Sequence, residues 1–190
     1  MGGGILPITI NRGNILVLMG QERSSKLWCD FGGRPNPGES FEDTALREGE
    51  EETNGFLGRG KYLKDLVNNN LVASIENGDR YVSYVFKIKY DNKLPHYFNN
   101  NNSFLEQKLK KVMAESFKTH NGLFEKSRMK WFTIDEIQRD LKQFRQHYIP
   151  ILKTIITKED EFIEKLIEQN TRANSTRRRG KHLKYVDPSE

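Results

Sequence analysis

Four glutamates crowd into five positions of this chain: Glu48, Glu50, Glu51 and Glu52. On a helix, Glu48, Glu51 and Glu52 stand at i, i+3 and i+4, so their side chains share one face. Like charges at that spacing destabilise an isolated helix by ~0.2–0.5 kcal/mol per pair, and Gly49 in the same turn costs roughly 1 kcal/mol relative to alanine. A segment that breaks two local rules at once marks a candidate functional site. Hard divalent cations want several carboxylate oxygens converging on one point, which this arrangement supplies. Mg2+ keeps several waters and combines few carboxylates with substrate phosphates. The cluster therefore suits a Mg2+-loaded diphosphate better than a structural calcium cage.

The elements that must position these acids are legible around them. The Gly32-Gly33 turn lets backbone approach a ligand closely and frees carbonyls to face a cation. Pro35 and Pro37 stiffen the loop that follows, and Ser40 with Asp43 at N3 forms a capping-box-like helix start. Phe41, Ala45 and Gly49 recur at spacing four, so a small residue at 49 lets this helix sit tight on a sheet. That leaves Glu48, Glu51 and Glu52 turned toward the ligand. Arg47 can reach Glu50 or Glu51 on the helix, or Glu39 in the loop, and hold them against mutual repulsion.

The stretch from Gly33 to Gly55 resembles the Nudix box, which reads Gly, five residues, Glu, seven residues, Arg-Glu, an aliphatic, any residue, Glu-Glu, any residue, Gly, an aliphatic. Gly33, Glu39, Arg47, Glu48, Glu51 and Glu52 stand at matching positions. Gly49 replaces the first aliphatic residue, Asn54 the glycine, and Gly55 the last aliphatic; a one-residue insertion would instead let Gly55-Phe56 close the box. Asn tolerates the left-handed conformation needed after a helix, so either reading terminates it. The resemblance implies an αβα sandwich with a mixed sheet between helices, and a Mg2+-dependent (or Mn2+-dependent) pyrophosphohydrolase. It assigns metal binding to Glu48, Glu51 and Glu52 with the Gly32 carbonyl. It gives Glu39 and Arg47 the task of joining loop to helix, and makes Glu52 the first choice for general base. Nudix enzymes often recruit one more glutamate from a loop after the box; Glu125 sits in such a place, with Glu115 and Glu106 as competitors.

The substrate is less defined. Arg23, Lys26 and Arg34 near the acids can hold phosphates. Trp28, Phe31, Tyr81 or Tyr84 can stack a base, although an aromatic in a strand is core by default. His96, His120, His147 and His182 do not share metal-ligand spacing, which leaves zinc chemistry unsupported. There is no P-loop and no GxSxG. The expected substrate is a nucleoside diphosphate derivative: an mRNA cap, a dinucleoside polyphosphate, ADP-ribose or a nucleotide sugar. The competing reading is a Nudix-like module that binds nucleotide or RNA without hydrolysis.

At 190 residues the chain suits one domain, and no apolar run approaches the ~18 residues of a membrane span. The start MGGGILPIT has no basic n-region, and Leu6 stands where myristoylation needs Ser or Thr, so neither a secretory signal nor a lipid anchor is expected. A single cysteine, Cys29, suits a reducing, cytoplasmic setting and reads as a small half-buried strand residue. Residues 171–190 hold six Lys or Arg against two acids, which is +4 of the net +5. The expected organisation is a domain over 1–170, with C-terminal helices from about 134 packed on it, and a disordered basic tail. Arg172 to Lys184 would attract phosphate backbone without reading sequence, making RNA a candidate partner. Nothing in the sequence fixes an oligomeric state.

In chain order, Gly4–Ile10 and Asn14–Met19 predict a hairpin, with a loop at 21–26 and a strand at 27–31. Leu71–Glu76 and Arg80–Tyr90 flank Asn77-Gly78-Asp79 as a second hairpin. Asparagine runs at 68–70 and 99–102 read as loop. Ser103 with Glu106 predicts a capped helix with a stripe of Leu105, Leu109, Val112, Met113 and Phe117. A short strand at 129–132 follows. Thr133 with Glu136 starts another helix that Pro150 ends or kinks, and a final amphipathic helix uses Phe162, Ile163, Leu166 and Ile167.

Overall fold

Consecutive apolar residues in the first two strands face opposite ways, so both faces of the sheet must be covered. In the computed structural model, which describes residues 2–109, 112 and 124–182, β1 (Gly3–Asn11) and β2 (Asn14–Glu22) form the expected hairpin. Short strands β3 (Trp28–Cys29) and β4 (Phe31–Gly33) follow, then β5 (Leu71–Glu76), β6 (Val82–Lys87) and β7 (Lys126–Thr133). The order is β3-β2-β1-β6-β5, with β4 added to β1 and β7 to β2. β1 runs parallel to β6 and the remaining pairs are antiparallel, so the sheet is mixed.

Val17 and Met19 enter one core with Leu6 and Ile8, while Leu18 and Ile5 enter the other. The first core is closed by α4 (Ile134–Arg139), α5 (Ile149–Thr157) and α6 (Glu159–His182) through Ile137, Leu152, Phe162 and Leu166. The second is closed by α1 (Phe41–Glu52), α2 (Gly60–Asn69) and α3 (Leu94–Leu109) through Ala45, Leu63, Val67 and Phe98. The result is the expected αβα sandwich. Among the described residues no helix is long and apolar enough to cross a membrane.

Helix α1 begins as its sequence dictates: the Ser40 hydroxyl accepts from the Asp43 amide at 3.1 Å and donates to the Asp43 carboxylate at 2.6 Å. Gly49 lies on Ile5 of β1, where a Cβ would run into the isoleucine side chain. Its helix-propensity cost therefore accompanies a close helix–sheet approach. After the C-cap Thr53, Asn54 and Gly55 both turn left-handed at φ 52° and 72°.

Several expectations need correction. Residues 60–69 form α2, which was not foreseen, and the asparagine runs are mostly helical rather than loop. α3 starts at Leu94, so Ser103 lies within it instead of capping it. Val112 is a turn residue, 80% exposed, while Met113, Glu115 and Phe117 lie outside the described residues. The second hairpin closes through a 3-10 turn at Gly78–Arg80. Thr133 and Glu136 do form a capping box, but α4 ends at Arg139, and Pro150 opens α5 within its first turn. Ile167 is half exposed. α6 passes Thr171 and continues to His182, and residues 183–190 of the expected tail lie outside the described residues.

Candidate active site

One turn of α1 and the two glycines of β4 meet at the mouth of the sheet. β4 pairs with the start of β1, Gly33 opposite Gly3 and Gly32 opposite Gly4, while α1 packs across both strands. The Glu48 carboxylate rests directly on Gly33, in the space a Cβ would fill. Glu52 reaches β4 itself: its Oε2 accepts the Gly32 amide at 2.8 Å. Only glycine lets a carboxylate approach the backbone so closely at this point.

Arg47 organises the loop side. Its Nε donates to Glu39 Oε1 at 2.8 Å and its Nη2 to Glu39 Oε2 at 3.0 Å, a bidentate pair. Nη1 donates to Glu48 Oε1 at 2.9 Å and Glu51 Oε2 at 3.2 Å, and Nη2 also reaches the Arg34 carbonyl at 2.9 Å. Glu39 further accepts from the Asn36 amide and from Thr44. The Arg47 hydrogen bonds, helped by Asn36, hold Glu39 down at about 2. The loop, the helix start and the acidic turn are thereby tied through one guanidinium.

The opposite wall was not legible in the sequence. Lys126 of β7 is wholly buried and its ammonium meets Glu22 Oε1 at 2.5 Å, Cys29 Sγ at 3.0 Å and Glu52 Oε2 at 3.3 Å. Arg145 adds a contact to Glu22 Oε1 at 3.3 Å. Burial works against the charge on Lys126, yet its acidic neighbours hold it well above its ordinary value. Burial also opposes ionisation of Glu22, but Lys126 and then Arg145 keep it below the usual carboxylate range. Burial pushes Glu52 well up, opposed by Lys126 and reinforced by Glu22, Glu48 and Glu125. Glu48 is raised for the same first reason, with Arg47 pulling back. Cys29 is buried and its thiol is pushed far up, which fits a structural strand residue. Beneath them Asp30 accepts from Tyr81 at 2.9 Å and Ser83 at 2.8 Å, and burial lifts it to about 6.

These groups enclose a cavity of about 700 Å³ whose walls include Glu22, Glu48, Glu51, Glu52 and Glu125, with Arg34, Arg47 and Arg145 among them. Among the described residues no three His, Cys, Asp or Glu side chains converge tightly enough to hold a metal ion as they stand. Arg47 and Lys126 draw the carboxylates to either side. The donor set nevertheless fits a hard cation. Glu48 and Glu51 each give one oxygen to Arg47, and Glu52 gives one to Gly32 and Lys126, so each keeps a second oxygen that takes no hydrogen bond among the described residues. Oxygen-only donors on an open cavity suit Mg2+ or Mn2+.

The family model for the NUDIX domain matches residues 4–154. The chain belongs to the Nudix family. No curated protein matches it. Among solved structures, a Francisella tularensis bifunctional NMN adenylyltransferase/ADP ribose pyrophosphatase, complexed with AMP and a manganese ion, superposes with a TM-score of 0.50 at 18% identity. The match covers 83% of this chain and 41% of that one. A C. elegans Ap4A hydrolase binary complex matches at TM-score 0.48 and 16% identity over 86% of this chain and 98% of that one. The Nudix domain of Shewanella oneidensis NrtR, complexed with ADP ribose, matches at 0.45 and 14% over 80% and 82%. At these identities the likeness is one of fold.

The structure brings Glu48, Glu51, Glu52 and Glu125 to one cavity, with Gly32 and Arg34 on its wall, while Glu39 stays paired with Arg47. Glu106 instead pairs with Arg23 at 2.6 Å, and Arg23 Nε donates to the Phe124 carbonyl at 2.7 Å, which ties the turn after β2 to α3. Lys26 is exposed, left-handed at φ 62°, and lines a separate polar cavity with Glu106 and Arg128. Trp28 stands edge-on to Phe132 with centroids 5.0 Å apart and packs on the first core. Phe31 is fully buried, and Tyr81 is bound to Asp30. Sequence reasoning missed Glu22, Lys126 and Arg145. Lys126 carried the faintest signal, as a charge at the head of a β-prone run.

Proposed function

We propose that this Nudix protein is a divalent-metal-dependent pyrophosphohydrolase that cleaves the diphosphate linkage of a nucleoside diphosphate derivative. The observation that carries the reading is the single cavity on which Glu48, Glu51, Glu52 and Glu125 converge, with the loop acid Glu39 locked to Arg47 behind it. Glu48, Glu51 and Glu52, with the Gly32 carbonyl, would hold Mg2+ or Mn2+, which when bound neutralises diphosphate charge and lowers the pKa of a water. Glu52 is the general base. Burial raises its pKa well above the usual carboxylate range, against the pull of Lys126, which strengthens it as a proton acceptor. The Gly32 amide and Lys126 engage one of its oxygens, leaving the other for the cavity, where it would face the metal and the water that the metal activates. Glu125 adds a further carboxylate to the same cavity, and Arg34 offers a cation for a substrate phosphate.

Within this reaction class, ADP-ribose, the substrate named for the Francisella relative, and dinucleoside polyphosphates are one branch. Capped RNA is the other, and the basic segment 172–184 supports it by offering phosphate-backbone attraction. Turnover of ADP-ribose, Ap4A and capped RNA with Mg2+ and with Mn2+ decides between them, the E52Q variant serving as the control. Nucleotide binding without turnover in the wild type would replace the hydrolase with a binding module.

A further inference from the structure

Lys126 is the one charged residue among the largest fully enclosed side chains. Its stem passes beside Gly20 of β2, where a Cβ would run into Lys126 Cγ and Cδ, so the strand opposite leaves room for it. An ammonium has three donors, and three acceptors surround this one: Glu22 Oε1, Cys29 Sγ and Glu52 Oε2. Two of them belong to carboxylates that line the acid cavity. The side chain does not reach out to solvent as lysines at apolar surfaces do. It is built in between two acids.

We propose that the Lys126 ammonium is a resident monovalent cation of the carboxylate site, standing between Glu22 and Glu52 where a divalent ion would otherwise sit, and so limiting how many metal ions the cavity admits. The inference rests on the metal-dependent reading above. Glu22 Oε1 is engaged by Lys126, Arg145 and the Cys29 thiol, and Glu52 Oε2 by Lys126 and Gly32. A further cation there would meet a fixed like charge and few uncommitted donor atoms. Divalent ions are thereby confined to the outward oxygens of Glu48, Glu51 and Glu52. Lys126 is a positioning residue: it holds one Glu52 oxygen inward and directs the other to the cavity.

The test counts metal ions in the full chain by Mn2+ titration, followed by the electron paramagnetic resonance of free Mn2+, for wild type and K126A. K126A should take up one more Mn2+ per chain, and added methylammonium should displace that ion, an effect absent from wild type. Equal Mn2+ counts and affinities in the two proteins would overturn the Lys126 inference alone. Absence of Mn2+ binding in both would bring down the metal-dependent reading as well. If K126A loses its fold in metal-free buffer, circular dichroism takes over. Recovery on adding Mn2+, but not on adding NaCl of equal ionic strength, supports the exchange of ammonium for a divalent ion; no recovery refutes it.

Discussion

Glu39 and Arg47 exchange two parallel hydrogen bonds, and the depressed pKa of Glu39 makes that pair a source of pH-dependent stability. A carboxylate whose folded pKa lies at about 2, below its ordinary 4.5, contributes stability above pH 4.5 that fades as pH falls through 2. Denaturation midpoints of wild type and E39Q should therefore differ most above pH 5 and converge toward pH 2. A constant gap would show that the bonds do not depend on the charge. At the acid cluster, E52Q should lower metal-dependent turnover by ~10²–10⁴-fold, as loss of a general base does, while circular dichroism stays that of the wild type. Retained turnover would remove Glu52 from its role. Glu39 was among the partners legible for Arg47 because it precedes α1 at a fixed spacing from an arginine within it. Lys126 was not legible, because a lysine in a strand has the same sequence signature buried or exposed, and its acidic partners lie on other elements.

At the scale of elements, α3 is fastened to β7 by asparagines. Asn99 accepts the Met129 amide at 2.7 Å and donates to the Met129 carbonyl at 3.2 Å, while Asn102 donates to the Lys126 carbonyl at 2.9 Å and accepts from Asn54 at 2.7 Å. The amides satisfy the backbone of a strand whose other side pairs with β2. N99A should cost about 2 kcal/mol for two hydrogen bonds lost from a partly buried edge, read as a melting point lower by about 4–8 °C. An unchanged melting point would mean that water replaces the amide fully. Asparagine has low helix propensity, so the run 99–102 looked like loop; tertiary hydrogen bonding overrode the local preference. The first hairpin, α1 with its cap and the α4 capping box were readable because the signals for each are local. α2 was missed because its apolar positions, Leu63, Leu66 and Val67, are few and are followed directly by asparagines.

For the whole molecule, charge is divided between a nearly neutral domain and a basic C-terminal segment. If that segment carries RNA contact, deleting residues 171–190 should raise KM for capped RNA and flatten its salt dependence, leaving ADP-ribose or Ap4A kinetics unchanged. Equal loss on all substrates would assign the segment to the fold instead. The sheet between two helical layers was legible through the Nudix-box resemblance, whereas the pairing of β7 with β2 was not, since nothing local encodes a partner so distant. That pairing has a consequence in time. Lys126 and Glu22 stand 104 residues apart in the chain, and contacts of such separation close late. A ribosome releases Glu22 and Glu52 long before it has made Lys126, so the emerging polypeptide carries buried-site acids with no ammonium to match them. Nascent chains halted before β7 should stay open to proteases, and the acid-lined cavity should mature as one of the final acts of synthesis.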